Sequence, residues 1–141
     1  MSFNLTKGLI VLVAASMLAV ASRADTIVVG GSENWRSGFN YTDWALKHGP
    51  FYLNDVLVFK YGAPSDKTPA HNVYLLPNLW SYINCDFSGA KLLAGPTQGG
   101  GDGFKYELKM FRPLYFASSD DGDCEDGLMK FFVVPLPRWQ G

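Results

Sequence analysis

Short runs of β-branched and aromatic residues alternate along this chain with clusters of Gly, Pro, Asn and Asp. The runs are TIVV (26–29), VLVFKY (56–61), HNVYLL (71–76), KLL (91–93), FKYELK (104–109), LYFA (114–117) and MKFFVV (129–134). Seven runs of strand length, parted by turn residues, predict an all-β antiparallel sandwich or barrel. In VLVFKY, Leu57, Phe59 and Tyr61 share one face and Val56, Val58 and Lys60 the other. Both faces are largely apolar, as in a strand covered on both sides. Two segments carry helical signals instead. Thr42 is placed to cap Asp43–Lys47, which Gly49-Pro50 ends, and Asn78 to cap Leu79–Ile83. The glycine-rich stretch Gly95–Gly103 lacks the spacing and the terminal Lys-Ser/Thr of a phosphate cradle, so it reads as a flexible connector.

The first 24 residues follow a different logic. An apolar run, Gly8–Val20, stands behind Lys7 and is too short for a bilayer span of about 20 residues. Ser22 and Ala24 then supply small residues three places and one place before Asp25. This is the pattern of a signal peptide over residues 1–24, cut after Ala24. The remainder suits one domain, residues 25–136, with a short tail at 137–141. Losing Lys7 and Arg23 takes the formal charge from −1 to −3. No cationic cluster is left to hold phosphates, which argues against nucleic acid as a partner. The closing PLPRWQG offers neither the spacer nor the apolar tail of a lipid-anchor signal, and no membrane span is expected in the mature chain. The product is expected to be secreted to the extracellular space, the apoplast in a plant. Asn40-Tyr41-Thr42 then makes Asn40 a candidate glycan carrier.

In an oxidising compartment the two cysteines, Cys85 and Cys124, are expected to pair. Closing their loop of about 40 residues is worth about 4 kcal/mol in the chain-entropy account. A Cys/Cys/His metal site has no support from spacing, since there is no C-x-x-C and His48 and His71 are the two histidines.

Several segments, in order and spacing, resemble the phytocyanins, the plant branch of the cupredoxins that includes plantacyanins, uclacyanins, stellacyanins and early nodulin-like proteins. They are IVVGGSENW (27–35), YTDWA (41–45), NDVLVFKY (54–61), HNVYLL (71–76), YINCDF (82–87) and LYFASSDDGDCEDGLMKFFV (114–133). The resemblance implies a Greek-key sandwich of about seven strands, one or two short helices and one disulfide, here Cys85 with Cys124. It also implies a copper ion held by two histidines, a cysteine and an axial methionine or glutamine. Carried over residue by residue, the first histidine is His71. The cysteine slot holds Ser118, and the second histidine slot holds Asp123. The axial slot falls on Leu128, or on Met129 if the register slips by one. A serine hydroxyl stays protonated and is a hard donor, so it cannot replace the thiolate on which a blue, fast site depends.

The expected function is therefore a non-enzymatic extracellular binding module, with cell-wall polysaccharide, a glycoprotein or a receptor ectodomain as partner. No cofactor is expected. The alternative is a copper protein of altered type using His71, Asp123 and Met129, in which the carboxylate favours the charged imidazole by Coulomb attraction. Against that stands the reading of His71 as a surface residue. Asp120, Asp121, Asp123, Glu125 and Asp126 lack the register of a calcium loop and read as a solvated acidic turn. His48 also reads as a surface residue. Ser118, Ser119, His71 and Asp123 assemble a hydrolase only on paper, without a nucleophile elbow. Trp35 and Trp44 are expected in the core, whereas Trp80 and Trp139 are the candidates for partner contact.

Overall fold

The computed structural model describes residues 24–138, so the leader apart from Ala24, and Trp139, lie outside the described residues. All seven expected strands form: β1 (Thr26–Val28), β2 (Val56–Phe59), β3 (Val73–Leu76), β4 (Lys91–Ala94), β5 (Phe104–Glu107), β6 (Leu114–Ala117) and β7 (Lys130–Val133). They make a three-stranded sheet ordered β1-β2-β5 and a four-stranded sheet ordered β4-β3-β6-β7. The β1–β2 pair is parallel and the other pairs are antiparallel.

Between the sheets lies an aromatic core. The Phe116 and Phe131 rings stack at 5.2 Å, Phe59 lies 5.6 Å from Phe116, and Trp35 meets Phe59 edge-on at 5.1 Å. Period-two alternation explains this placement: Leu114 and Phe116 of β6 point inward, while Tyr115 and Ala117 face a second cluster with Leu76, Tyr82 and the disulfide. Cys85 and Cys124 are bonded, as expected.

The two helices are α1 (Tyr41–His48) and α2 (Leu79–Asn84). Asn78 caps α2 as expected, its Oδ1 accepting from the Ser81 N–H at 2.9 Å. The cap of α1 is Asn40 and not Thr42, since Asn40 Oδ1 accepts from the Asp43 N–H at 2.9 Å. The helix thus begins two residues earlier, and Thr42 inside it has another use. Its hydroxyl donates to the Lys130 carbonyl at 3.0 Å and shares a hydrogen bond with the Tyr82 hydroxyl, tying α1 to β7 and α2. Lys130 Nζ in turn donates to the Tyr82 and Ile83 carbonyls near the C-terminus of α2, where a cation opposes the helix dipole.

The stretch Gly95–Gly103 is no free connector. Tyr61 donates its hydroxyl to the Gly95 carbonyl at 2.7 Å and its N–H to the Gly99 carbonyl at 3.0 Å. A Cβ at Gly99 would overlap the Tyr61 ring, which explains a glycine there.

Burial pushes the phenols of Tyr41 and Tyr61 up to about 12. An unfolded tyrosine loses its proton at about 10. The stability these two groups contribute is therefore complete below that value and is lost as pH climbs toward 12. Denaturant unfolding at stepped alkaline pH, run beside a phenolate absorbance titration, should show a fall of roughly 2–3 kcal/mol per tyrosine.

Candidate functional site

At the end of β6 the chain passes from Ala117 into Ser118, and just ahead of β3 it carries His71 and Asn72. The turn that joins β6 to β7 folds back beneath both, held by Asp123 N–H to the Asp120 carbonyl at 2.9 Å and Gly127 N–H to the Gly122 carbonyl at 2.8 Å. A Cβ at Gly127 would come within 2.7 Å of the Asp123 carbonyl oxygen, so glycine lets this turn close on itself. Its closure drives Asp123 inward.

Three of the expected slot residues meet there. Ser118 Oγ donates to Asp123 Oδ2 at 2.7 Å, and His71 Nδ1 approaches the same oxygen at 2.7 Å. The His71 and Asp123 side chains are only 7% and 6% exposed, and Ser118 is fully buried. Two expectations are corrected by this. His71 is a buried residue, not a surface one, because its ring is drawn onto an internal carboxylate. Asp123 likewise does not belong to a solvated acidic turn, although Asp121, Glu125 and Asp126 are exposed.

Sequence reasoning missed Asn72, which braces the trio from one side. Its N–H donates to Ser118 Oγ at 3.2 Å, its side chain exchanges two hydrogen bonds with Ser119, and its carbonyl accepts from Trp35 Nε1 at 2.9 Å. The one available signal was its position beside His71.

The axial candidates separate. Leu128 is exposed with a left-handed φ of 60°, whereas Met129 is fully buried and belongs to the main core. Met129 serves the site through its backbone, donating to the Asp123 carbonyl at 2.9 Å and accepting from the Ser118 N–H at 3.1 Å.

These residues do not fit a type 1 copper ion. Both cysteines of the chain are in the disulfide, so no thiolate exists. Two ligands about 2.1 Å from a tetrahedral metal stand roughly 3.4 Å apart. The donor atoms here are 2.7 Å apart, with a proton between them. Among the described residues no group of three or more His, Cys, Asp or Glu side chains is placed to hold a metal. Hydrolase chemistry fares no better, because Ser118 and His71 both turn to the same carboxylate oxygen and the serine has no imidazole to take its proton.

His71 is among the residues lining a groove of about 600 Å³, with Trp35, Arg36, Lys60, Tyr61 and the glycines at 99–101. Elsewhere on the surface, Leu79, Trp80 and Ile83 of α2 are 52%, 63% and 60% exposed, an apolar patch on one short helix. Trp35 and Trp44 are buried, as expected. His48 is exposed but rests on the Trp44 ring. Asn40 is exposed, and because its Oδ1 makes the cap, its amide nitrogen is not used there. No helix among the described residues is long and apolar enough to cross a membrane.

No family model matches the chain. It is similar to early nodulin-like protein 15 of Arabidopsis thaliana, with 32% identity over 82% of this chain and 61% of that protein. The chain spans about three fifths of the length of the curated relatives it matches. Among solved structures, cucumber basic protein, a blue copper protein, matches at a TM-score of 0.60 and 31% identity, covering 79% of this chain and 99% of that one. Cucumber stellacyanin superposes at a TM-score of 0.67 over 83% of this chain and 99% of that one, and at 20% identity it speaks for the fold alone.

Removing Asp123 should be the most damaging change at this site, since it strands two buried donors. Asp123→Ala is expected to cost about 3 kcal/mol or more and Ser118→Ala about 1–2 kcal/mol, read from urea unfolding midpoints at neutral pH.

Proposed function

The chain belongs to the phytocyanin family of cupredoxins, and from that premise we propose that it is a secreted, non-blue member that works as an extracellular binding module, not as an electron carrier or an enzyme. The observation that carries this reading is the shared Asp123 oxygen. Side chains in the slots carried over from the family's copper ligands bond to one another at 2.7 Å, which engages Ser118 Oγ, His71 Nδ1 and Asp123 Oδ2 in hydrogen bonds in place of a metal. Fast one-electron transfer in this family rests on a thiolate, and Ser118 supplies an oxygen instead.

Binding is the role that survives such a loss. The exposed Leu79, Trp80 and Ile83 supply an apolar contact surface, and an indole is well suited to a sugar face or to a glycoprotein. Secretion rests on the leader pattern at 1–24, and a glycan at Asn40 would use the amide nitrogen while the carbonyl oxygen keeps capping α1.

The second reading, an altered copper protein centred on His71, draws on the place of that residue in the lining of the groove. Titration of the purified protein with Cu(II) separates the two. The binding-module reading expects no intense visible charge-transfer band. Such a band would overturn it, and tight colourless binding that His71→Ala abolishes would favour the altered copper site.

Reinstating the ligands tests the slot assignment itself. Ser118→Cys combined with Asp123→His should bind Cu(II) with an intense blue band, and a colourless complex in that double variant would show the slots to be misplaced. A screen of wall glycans and glycoproteins should find a partner whose capture drops at least tenfold in Trp80→Ala.

A further inference from the structure

A second buried carboxylate lies just ahead of β2. Asp55, which immediately precedes that strand, is 1% exposed. Its Oδ2 accepts from the Tyr52 N–H at 3.0 Å, and its Oδ1 accepts both from Arg138 Nη2 at 3.0 Å and from the backbone nitrogen of Asp25 at 3.0 Å. Arg138 also reaches the Asp25 side chain at 3.2 Å and lies over the Tyr52 ring at 4.2 Å. Among the described residues three charged side chains therefore meet here, two carboxylates and one guanidinium, whose charges sum to −1.

Asp25 is also where the fold takes hold of the chain. Its carbonyl accepts from the Val56 N–H at 2.9 Å, β1 starts at the next residue, and Ala24 before it is exposed. The sequence places the leader cleavage at this same bond. Before cleavage the Asp25 nitrogen is a neutral amide with one proton. Hydrolysis of the Ala24–Asp25 bond gives the Ala24 carbonyl a water oxygen and turns the Asp25 nitrogen into a free amine, which protonates.

We propose that release of the leader creates a structural salt bridge, in which the new α-ammonium of Asp25 pairs with the buried carboxylate of Asp55. The bond needs no rearrangement, because the nitrogen already stands at hydrogen-bond distance. The added positive charge cancels the local excess. A charge-assisted bond to a buried anion is stronger than the amide bond it replaces. Asp55 is thus a receptor for the mature N-terminus, and a chain extended at that end loses the pair.

The inference rests on reading residues 1–24 as a leader, and the test keeps the two failures apart. The full chain is expressed in secreting plant cells, the N-terminus of the purified protein is determined by mass spectrometry, and a variant with Gly-Ser inserted between Ala24 and Asp25 is made alongside. The wild type should begin at Asp25 and have an unfolding constant roughly tenfold smaller than the insertion variant, equivalent to about 1.4 kcal/mol. In an Asp55→Asn background the insertion should make no difference. Material that begins elsewhere would sink the leader reading and this pair with it. A start at Asp25 with no effect of the insertion would overturn the pair alone. Should Asp55→Asn fail to fold, acylation of the wild-type α-amine decides: at least tenfold slower modification in native protein than in denaturant supports the pair, and equal rates reject it.

Discussion

One oxygen atom, Oδ2 of Asp123, organises the loop end of the sandwich. It receives the hydroxyl of Ser118 from the end of β6 and the imidazole of His71 from the approach to β3, both at 2.7 Å. The backbone of the same residue receives Met129 at the entrance to β7. Three chain segments are thereby held at one buried point, next to the Cys85–Cys124 bond in sequence. A carboxylate out of water is costly unless its lone pairs are taken up, and here the cost is met by donors that a metal would otherwise compete for. Structural closure and metal binding are alternatives at this position.

The sandwich itself does not depend on what occupies the loop end. The aromatic core around Trp35, Phe59, Phe116 and Phe131 is built from strand alternation and ring packing, and none of those contacts involves the slot residues. Hydrophobic burial supplies most of the folding free energy, so the core tolerates changes at the loop end provided that buried polar atoms find partners. Asn72, bonded through its backbone to Ser118 and Trp35 and through its side chain to Ser119, is the residue that links the loop end to the core.

Much of the fold was legible in the sequence because it is written in local periods. All seven runs became strands, shortened at several ends where pairing partners ran out, and Asn78 capped its helix. Errors arose where a residue's role depended on distant chain. Thr42 looked like a cap, but its hydroxyl is claimed by Lys130, 88 positions away, and the cap passes to Asn40. The glycines at 95–103 looked free until Tyr61, a residue of another segment, pinned them. At the site, the pairing of His71 with Asp123 could be anticipated from the slot positions. Its burial could not, because the inward turn depends on Gly127 packing against Asp123 itself.

The two buried carboxylates, Asp55 and Asp123, carry the same physical problem with different solutions. Asp55 is surrounded by two backbone nitrogens and a guanidinium, so its negative charge is answered by a full cation and fixed dipoles. Asp123 is answered by a hydroxyl and an imidazole. The first arrangement joins the two ends of the described chain, Asp25 and Arg138, to the sheet and acts as a fastener. The second adjoins a groove of which His71 is a lining residue. Both carboxylates therefore hold chain segments together, and the trio around Asp123 adjoins the groove that His71 lines.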